Sequence, residues 1–205
     1  MQLQQRGNVL AVHDMDWIET IGARPIGERP LAAKRRKSPE YGPPSTVAHI
    51  EFDFRRWDGR IGEWSEHFGK GRGQVHSLDG GEPLRSCQEV EVARRLRAAR
   101  DHAFWFSAYK PELVPAIWQP WVRTLGDAPD WLVSLDTSIR QQISSRKGGM
   151  PDVVAWNDHD PFTSAIFIEC KGRGEAFGDA QEDWVWAACR AGVGITQIAV
   201  SVRPF

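Results

Sequence analysis

The chain has 205 residues, 41% hydrophobic and 26% charged, and its 26 Lys and Arg against 27 Asp and Glu leave a formal net charge of −1. That length suits one well-packed domain with an extension and is short for two full domains. The near-zero balance excludes attraction to nucleic acid by global charge, so any such binding must come from local basic patches. No apolar run reaches the length of a membrane span, and MQLQQRGNVL lacks the basic-then-apolar order of a secretory leader. Cys87, Cys170 and Cys189 are odd in number and without zinc-ligand spacing. A cytoplasmic protein with reduced thiols and no membrane partner is the expectation.

Asn8 is placed to cap a helix whose apolar face is Leu10, Trp17, Ile18 and Ile21, stopped by Gly22 and Pro25. From Arg24 to Thr46, Pro, Gly and basic residues dominate, including Lys34-Arg35-Arg36-Lys37, and the segment reads as a linker or arm without regular structure. Val47 to Arg55 alternates, with Ala48, Ile50, Phe52 and Phe54 on one face and His49, Glu51, Asp53 and Arg55 on the other, as a half-buried strand does. Gly69-Lys70-Gly71-Arg72-Gly73 lacks the incoming strand and the Gly-Lys-Ser/Thr of a phosphate-cradling loop, and reads as a turn. Gln74–Leu78 reads as a further short strand. Residues 1–80 therefore read as an N-terminal extension: a helix, a basic Pro-rich linker and a short β element.

Residues 81–205 read as the main domain. Ser86, with Glu89 three residues on, forms a capping-box signature, and the helix that follows carries Val92, Leu96 and Ala99 on one face. Glu89 lies on that apolar face, turned toward the sheet, whereas Glu91 falls among the arginines. Ala103–Ala108 is the first core strand. Over residues 109–149, Trp131, Leu132, Leu135, Ile139 and Ile143 recur at helical spacing behind a candidate cap, Asp127. This is a helical insertion ending in the basic segment Arg140, Arg146, Lys147, suited to a DNA-facing wall or to a homodimer contact.

Two short apolar runs follow, Pro151–Trp156 and Ser164–Ile168, the second ending in Glu169-Cys170-Lys171. Joined by a link of hairpin composition, they pair as antiparallel strands. Side chains alternate along a strand, so Glu169 and Lys171 share a face and Cys170 points to the other, while Asp152 lies across from them. Two carboxylates and an ammonium meeting at one sheet end have no packing value, and their desolvation is costly unless a cation or phosphate shares the site. With no histidine beside them, the acids favour a hard ion, Mg²⁺ or Mn²⁺, over zinc. Beyond lie the small loop Gly172-Arg173-Gly174, with Arg173 a candidate phosphate contact, and Asp179 with Glu182 as a second capping box. The helix there sets Gln181, Trp184, Val185 and Ala188 on one face, Gly192 ends it, and Ile195–Val202 is the final strand.

The ordered set Asp152, Glu169, Lys171 resembles the PD-(D/E)XK nuclease superfamily. Gly149-Met150-Pro151-Asp152-Val153, Glu169-Cys170-Lys171 and Gln181-Glu182-Asp183-Trp184 are most similar to its virus-type replication-repair nuclease (VRR-NUC), resolvase-like branch, over residues 86–202. The resemblance implies an α/β restriction-endonuclease-like sandwich with an α-β-β-β-α-β core and a mixed central sheet flanked by helices. It implies a Mg²⁺- or Mn²⁺-dependent nuclease acting on duplex or branched DNA, in repair, recombination, mobile-element or defence processes. Asp152 and Glu169 would be metal ligands and the Cys170 backbone carbonyl a third. Lys171 would orient the attacking water or offset phosphorane charge, and Gln181 would hydrogen-bond the phosphate or Lys171. Glu89 matches the extra acid that the first helix often supplies; the plain reading, that it only caps its helix, stands beside this. The alternative from another class is a non-catalytic nucleic-acid-binding or protein-interaction module on the same fold.

Overall fold

The structure, a computed structural model, describes residues 15–31, 46–52, 85–106, 122–123, 128–143, 150–172 and 175–202. In chain order its elements are α1 (Trp17–Thr20), β1 (Ala23–Pro30), β2 (Thr46–Phe52), α2 (Arg85–Leu96), β3 (His102–Phe106), β4 (Val122–Arg123), α3 (Asp130–Gln142), β5 (Val153–Trp156), β6 (Ile166–Lys171), α4 (Asp179–Arg190) and β7 (Ile198–Val202). The strands form one mixed sheet in the order β1-β2-β7-β6-β5-β3-β4. β3, β5 and β6 form an antiparallel meander, and β7 returns parallel to β6 after α4. Elements α2-β3-β5-β6-α4-β7 thus build the α-β-β-β-α-β core of a restriction-endonuclease-like α/β sandwich.

Every residue of β5 and β6 is buried. A strand covered on both faces loses the apolar-polar alternation of a half-solvated one, which is why these two read as continuous apolar runs. On one face Ile166, Ile168, Cys170, Ala199, Ala48, Ile50 and Phe52 pack with Val92, Ala93 and Leu96 of α2 and Trp17 and Ile18 of α1. On the other, Val154, Trp156, Phe167, Ile198 and Val200 meet Leu132, Leu135 and Ile139 of α3 and Trp184, Val185 and Ala188 of α4. The Phe167 and Trp184 rings lie 5.2 Å apart in that second layer, and truncating a ring so buried costs about 3–5 kcal/mol.

The structure departs from the sequence reading chiefly in the N-terminal part. Arg24–Pro30 is not an arm but most of β1, antiparallel to β2. Pro25 and Pro30 are tolerated because β1 is the edge strand, where a missing N–H leaves no partner unmet. The register shifts between Pro25 and Gly27, and Gly27 has φ 133°, a bulge conformation that glycine supplies. β2 enters the central sheet parallel to β7, so strands from the segment read as an extension complete the same sheet as the core. The described part of the first helix is the single turn α1, ended by Gly22 at φ 68°. Asn8, Leu10, the Lys34–Lys37 cluster, Gly69–Gly73, Gln74–Leu78 and Asp127 lie outside the described residues.

Helix ends also differ. α2 begins at Arg85, so Ser86 falls within its first turn rather than at the cap. α4 begins at Asp179, one residue before the expected start, because the capping pair is Gly178 and Gln181 rather than Asp179 and Glu182: the Gly178 backbone is extended and its N–H donates to Gln181 Oε1 at 2.8 Å. Asp179 and Glu182 instead place acidic charge in the first turn, where the helix dipole favours it. Ile195–Gln197 is a 3-10 turn rather than strand. Gln197 holds it there, accepting from Gly194 N at 2.6 Å and donating to the carbonyls of Phe162 and Ala165, each at 2.9 Å. None of the described helices is long and apolar enough to cross a membrane.

Candidate active site

The β5–β6 register pairs Val153 with Ile168, which carries the preceding residue, Asp152, to the C-terminal end of β6. Two backbone bonds fix it there. Its Oδ2 accepts from Cys170 N at 2.9 Å, and its carbonyl accepts from Phe106 N at 2.9 Å. Pro151 just before it is buried and has its φ locked by its ring, so the carboxylate leaves a stiff piece of chain wedged between β3 and β6.

Glu169 and Lys171 project from the α4 face, only 4% and 9% exposed, and Cys170 points to the α2 face, as strand alternation demands. Lys171 Nζ lies 2.8 Å from Glu169 Oε1. The same oxygen accepts a short hydrogen bond from Gln181 Nε2. Gln181 therefore spends both ends of its amide, one on the helix cap and one on Glu169. Its partner is the second acid, not Lys171.

Burial, then the Asp152 charge and a hydrogen bond shared between the two carboxyls, push Glu169 up to about 8, against the opposing pull of Lys171. Near neutral pH the two acids thus hold a proton between them, a property of the pair rather than of either member. Two carboxyls in contact are tolerated in two ways: a proton shared between them, or a cation in its place.

Cys170 is 9% exposed. Burial first, and then the charges of Asp152, Glu89 and Glu169, raise its thiol well above the ordinary range, so it is a packed thiol rather than a nucleophile. Glu89, on α2, is thus one of the charges that act on this thiol. Among the described residues no three His, Cys, Asp or Glu side chains are grouped closely enough to hold an ion between them. Glu89 does not join Asp152 and Glu169 in a three-carboxylate cage.

The structure thus brings Asp152, Glu169, Lys171 and Gln181 into one constellation that does not include Glu89. Arg140 on α3 is tied within its own helix to Asp136 at 2.5 Å. Arg146, Lys147 and Arg173 lie outside the described residues. Sequence reasoning missed what the first two strands bring to the Glu169 face. Through β7, His49 is in register with Glu169 and Glu51 with Lys171. Arg29 of β1 reaches the loop that follows β6, donating to the Glu175 carbonyl at 2.6 Å. The alternation in Val47–Arg55 did separate His49 and Glu51 from the apolar face, but no local signal gives the parallel pairing that carries them to the site.

Compared with known protein families, residues 128–202 match the model of the VRR-NUC domain. Over that span the chain is similar to a PD-(D/E)XK-like nuclease family. The matched span, a little over a third of the chain, contains α3, β5, β6, α4 and β7, and so Asp152, Glu169, Lys171 and Gln181. Glu89, α2 and the β1–β2 pair lie outside it. A search of curated proteins found no match. The match points to a function of the nuclease type.

Proposed function

We propose that this protein is a metal-dependent deoxyribonuclease that hydrolyses DNA phosphodiester bonds, with Asp152, Glu169 and Lys171 as its reacting constellation. The observation that carries the reading is the buried contact of the Asp152 and Glu169 carboxyls beside the Lys171 ammonium. A structural ion pair needs one acid per base, and the second carboxyl at this spacing is tolerated only with a shared proton or with a cation in its place. The oxygen-only side-chain donors fit Mg²⁺ or Mn²⁺, with Asp152, Glu169 and the Cys170 carbonyl as ligands.

When bound, the divalent ion would supply charge neutralisation of the scissile phosphate and acidify a water molecule. The chain's own groups do the rest. Asp152, pinned by the Cys170 and Phe106 amides, and Glu169, oriented by Gln181, present fixed oxygens that do not reorganise during reaction. Lys171, held beside Glu169 at 2.8 Å, would orient the attacking water or meet the negative charge that builds on the phosphorane oxygens. The Cys170 side chain, on the other face, takes no part.

The test is purified protein with Mg²⁺ or Mn²⁺ against linear, nicked, flapped and four-way DNA. Cleavage of at least one of these, abolished by EDTA and poorly supported by Ca²⁺, is expected. Cleavage undiminished by EDTA would refute the two-carboxylate reading, and binding without cleavage under every metal would assign the chain to the non-catalytic modules.

A further inference from the structure

We propose that Arg29, on the edge strand β1 and outside the family-matched span, is a positioning residue for Lys171. It would act through the loop between β6 and α4. The proposal rests on the functional reading of Lys171 given above and adds the device that holds that ammonium in place.

Lys171 is the last residue of β6, and a lysine at a strand end has four rotatable side-chain bonds with which to leave the site. Three contacts restrain it. Glu169 holds its ammonium at 2.8 Å, and the Phe177 ring centroid lies 6.0 Å from Nζ, within reach of the attraction between a cation and an aromatic face. The third restraint is the turn directly after it. Gly172 N donates to Glu175 Oε2 at 2.9 Å and Glu175 N donates to Gly172 O at 3.1 Å. A Cβ at Gly172 would sit 3.2 Å from Glu175 Cδ, so the turn closes tightly on its own side chain.

Arg29 fastens the far side of this turn. One guanidinium nitrogen donates to Glu175 O at 2.6 Å, and the guanidinium carbon lies 5.9 Å from the centroid of the Phe177 ring. Phe177 thus lies within reach of two cations, one on the edge strand and one in the site. A planar guanidinium can donate to a carbonyl and lie against a ring at once, which suits arginine to this place. Because β1 is tied to β2 and β2 to β7, the sheet itself holds Arg29. Positional information therefore runs from the first strand through Glu175 and Phe177 to Lys171.

The test uses the full chain as wild type, Arg29→Ala, Arg29→Lys and Phe177→Leu. The first readout needs no activity: the rate at which Lys171 is acylated by a lysine-selective reagent, followed by mass spectrometry, with thermal melting to confirm that each variant is folded. Arg29→Ala and Phe177→Leu are expected to raise the Lys171 rate several-fold relative to the other lysines, and Arg29→Lys to restore it in part. The second readout is cleavage with Mg²⁺ or Mn²⁺. There Arg29→Ala is expected to lower kcat by about tenfold or more with KM little changed, since small misplacements of a reacting group cost this much. A folded Arg29→Ala protein whose Lys171 reacts at the wild-type rate overturns the proposal. Changed Lys171 reactivity in a chain whose wild type cleaves no DNA supports the positioning role and overturns the nuclease reading instead.

Discussion

Replacing Glu169 with Gln should stabilise the metal-free protein while removing its response to metal, and the size of the effect follows from the burial of one carboxyl. Burial and the Asp152 carboxylate oppose the charge of Glu169 and push it up to about 8 in the folded chain, against 4.5 when unfolded. Between those values the folded state holds a proton that the unfolded state has released, so stability is full below about pH 4.5 and is lost as pH rises through about 8. One proton corresponds to about 1.4 kcal/mol per pH unit, and at 4% exposure solvent screens little of it. Between about pH 5.5 and 7.5 the wild type should therefore lose roughly 2–3 kcal/mol relative to Glu169→Gln, whose neutral amide resembles the protonated carboxyl in shape and charge. Urea unfolding of both proteins in EDTA across that range gives the difference directly. With Mg²⁺ the order should invert, because only the wild type gains stability from binding an ion. Parallel pH profiles in EDTA would refute the reasoning, since they would mean that Glu169 is ionised in both states.

Metal and proton should compete for the same oxygens. Below about pH 8, Mn²⁺ affinity should rise close to tenfold per pH unit with about one proton released per ion, measurable by calorimetry in buffers of different ionisation enthalpy. Gln181→Ala removes both the Gly178 cap and the bond to Glu169; it should cost about 1–2 kcal/mol in urea unfolding and weaken Mn²⁺ binding, whereas a loss of stability with unchanged metal affinity would leave Gln181 only its capping role. DNA affinity should fall steeply with salt despite the net charge of −1, and removing the charges of Arg140, Arg146 and Lys147 together should flatten the slope of log K against log salt by roughly two to three units. An unchanged slope would move the binding face to another basic segment.

The site was legible in the sequence because its information is local. Strand alternation alone puts Glu169 and Lys171 on one face and Cys170 on the other, and a hairpin between two short apolar runs puts Asp152 opposite them. The helices followed from period and charge, although their first residues shifted: Asp179 with Glu182 has the capping-box pattern, whereas the observed cap, Gly178, has no side chain to signal it and is closed only by Gln181. β1 was hidden because Pro, Gly and Arg are the vocabulary of loops, and they are tolerated here only because the strand is an edge. The partnership of β2 with β7, and with it the place of His49, Glu51 and Arg29 on the Glu169 face, is a long-range parallel pairing. Such pairing leaves no periodic trace in either strand.

The central claim is that Lys171 serves the reaction while Asp152 and Glu169 hold the ion, and a single pairing of measurements on Lys171→Ala separates those jobs. Mn²⁺ binding by calorimetry and DNA binding should stay within a few-fold of wild type, while Mn²⁺-dependent nicking falls by about 10²-fold or more, the scale of losing a positioned transition-state charge. A Lys171→Ala protein that nicks DNA at the wild-type rate would contradict the account.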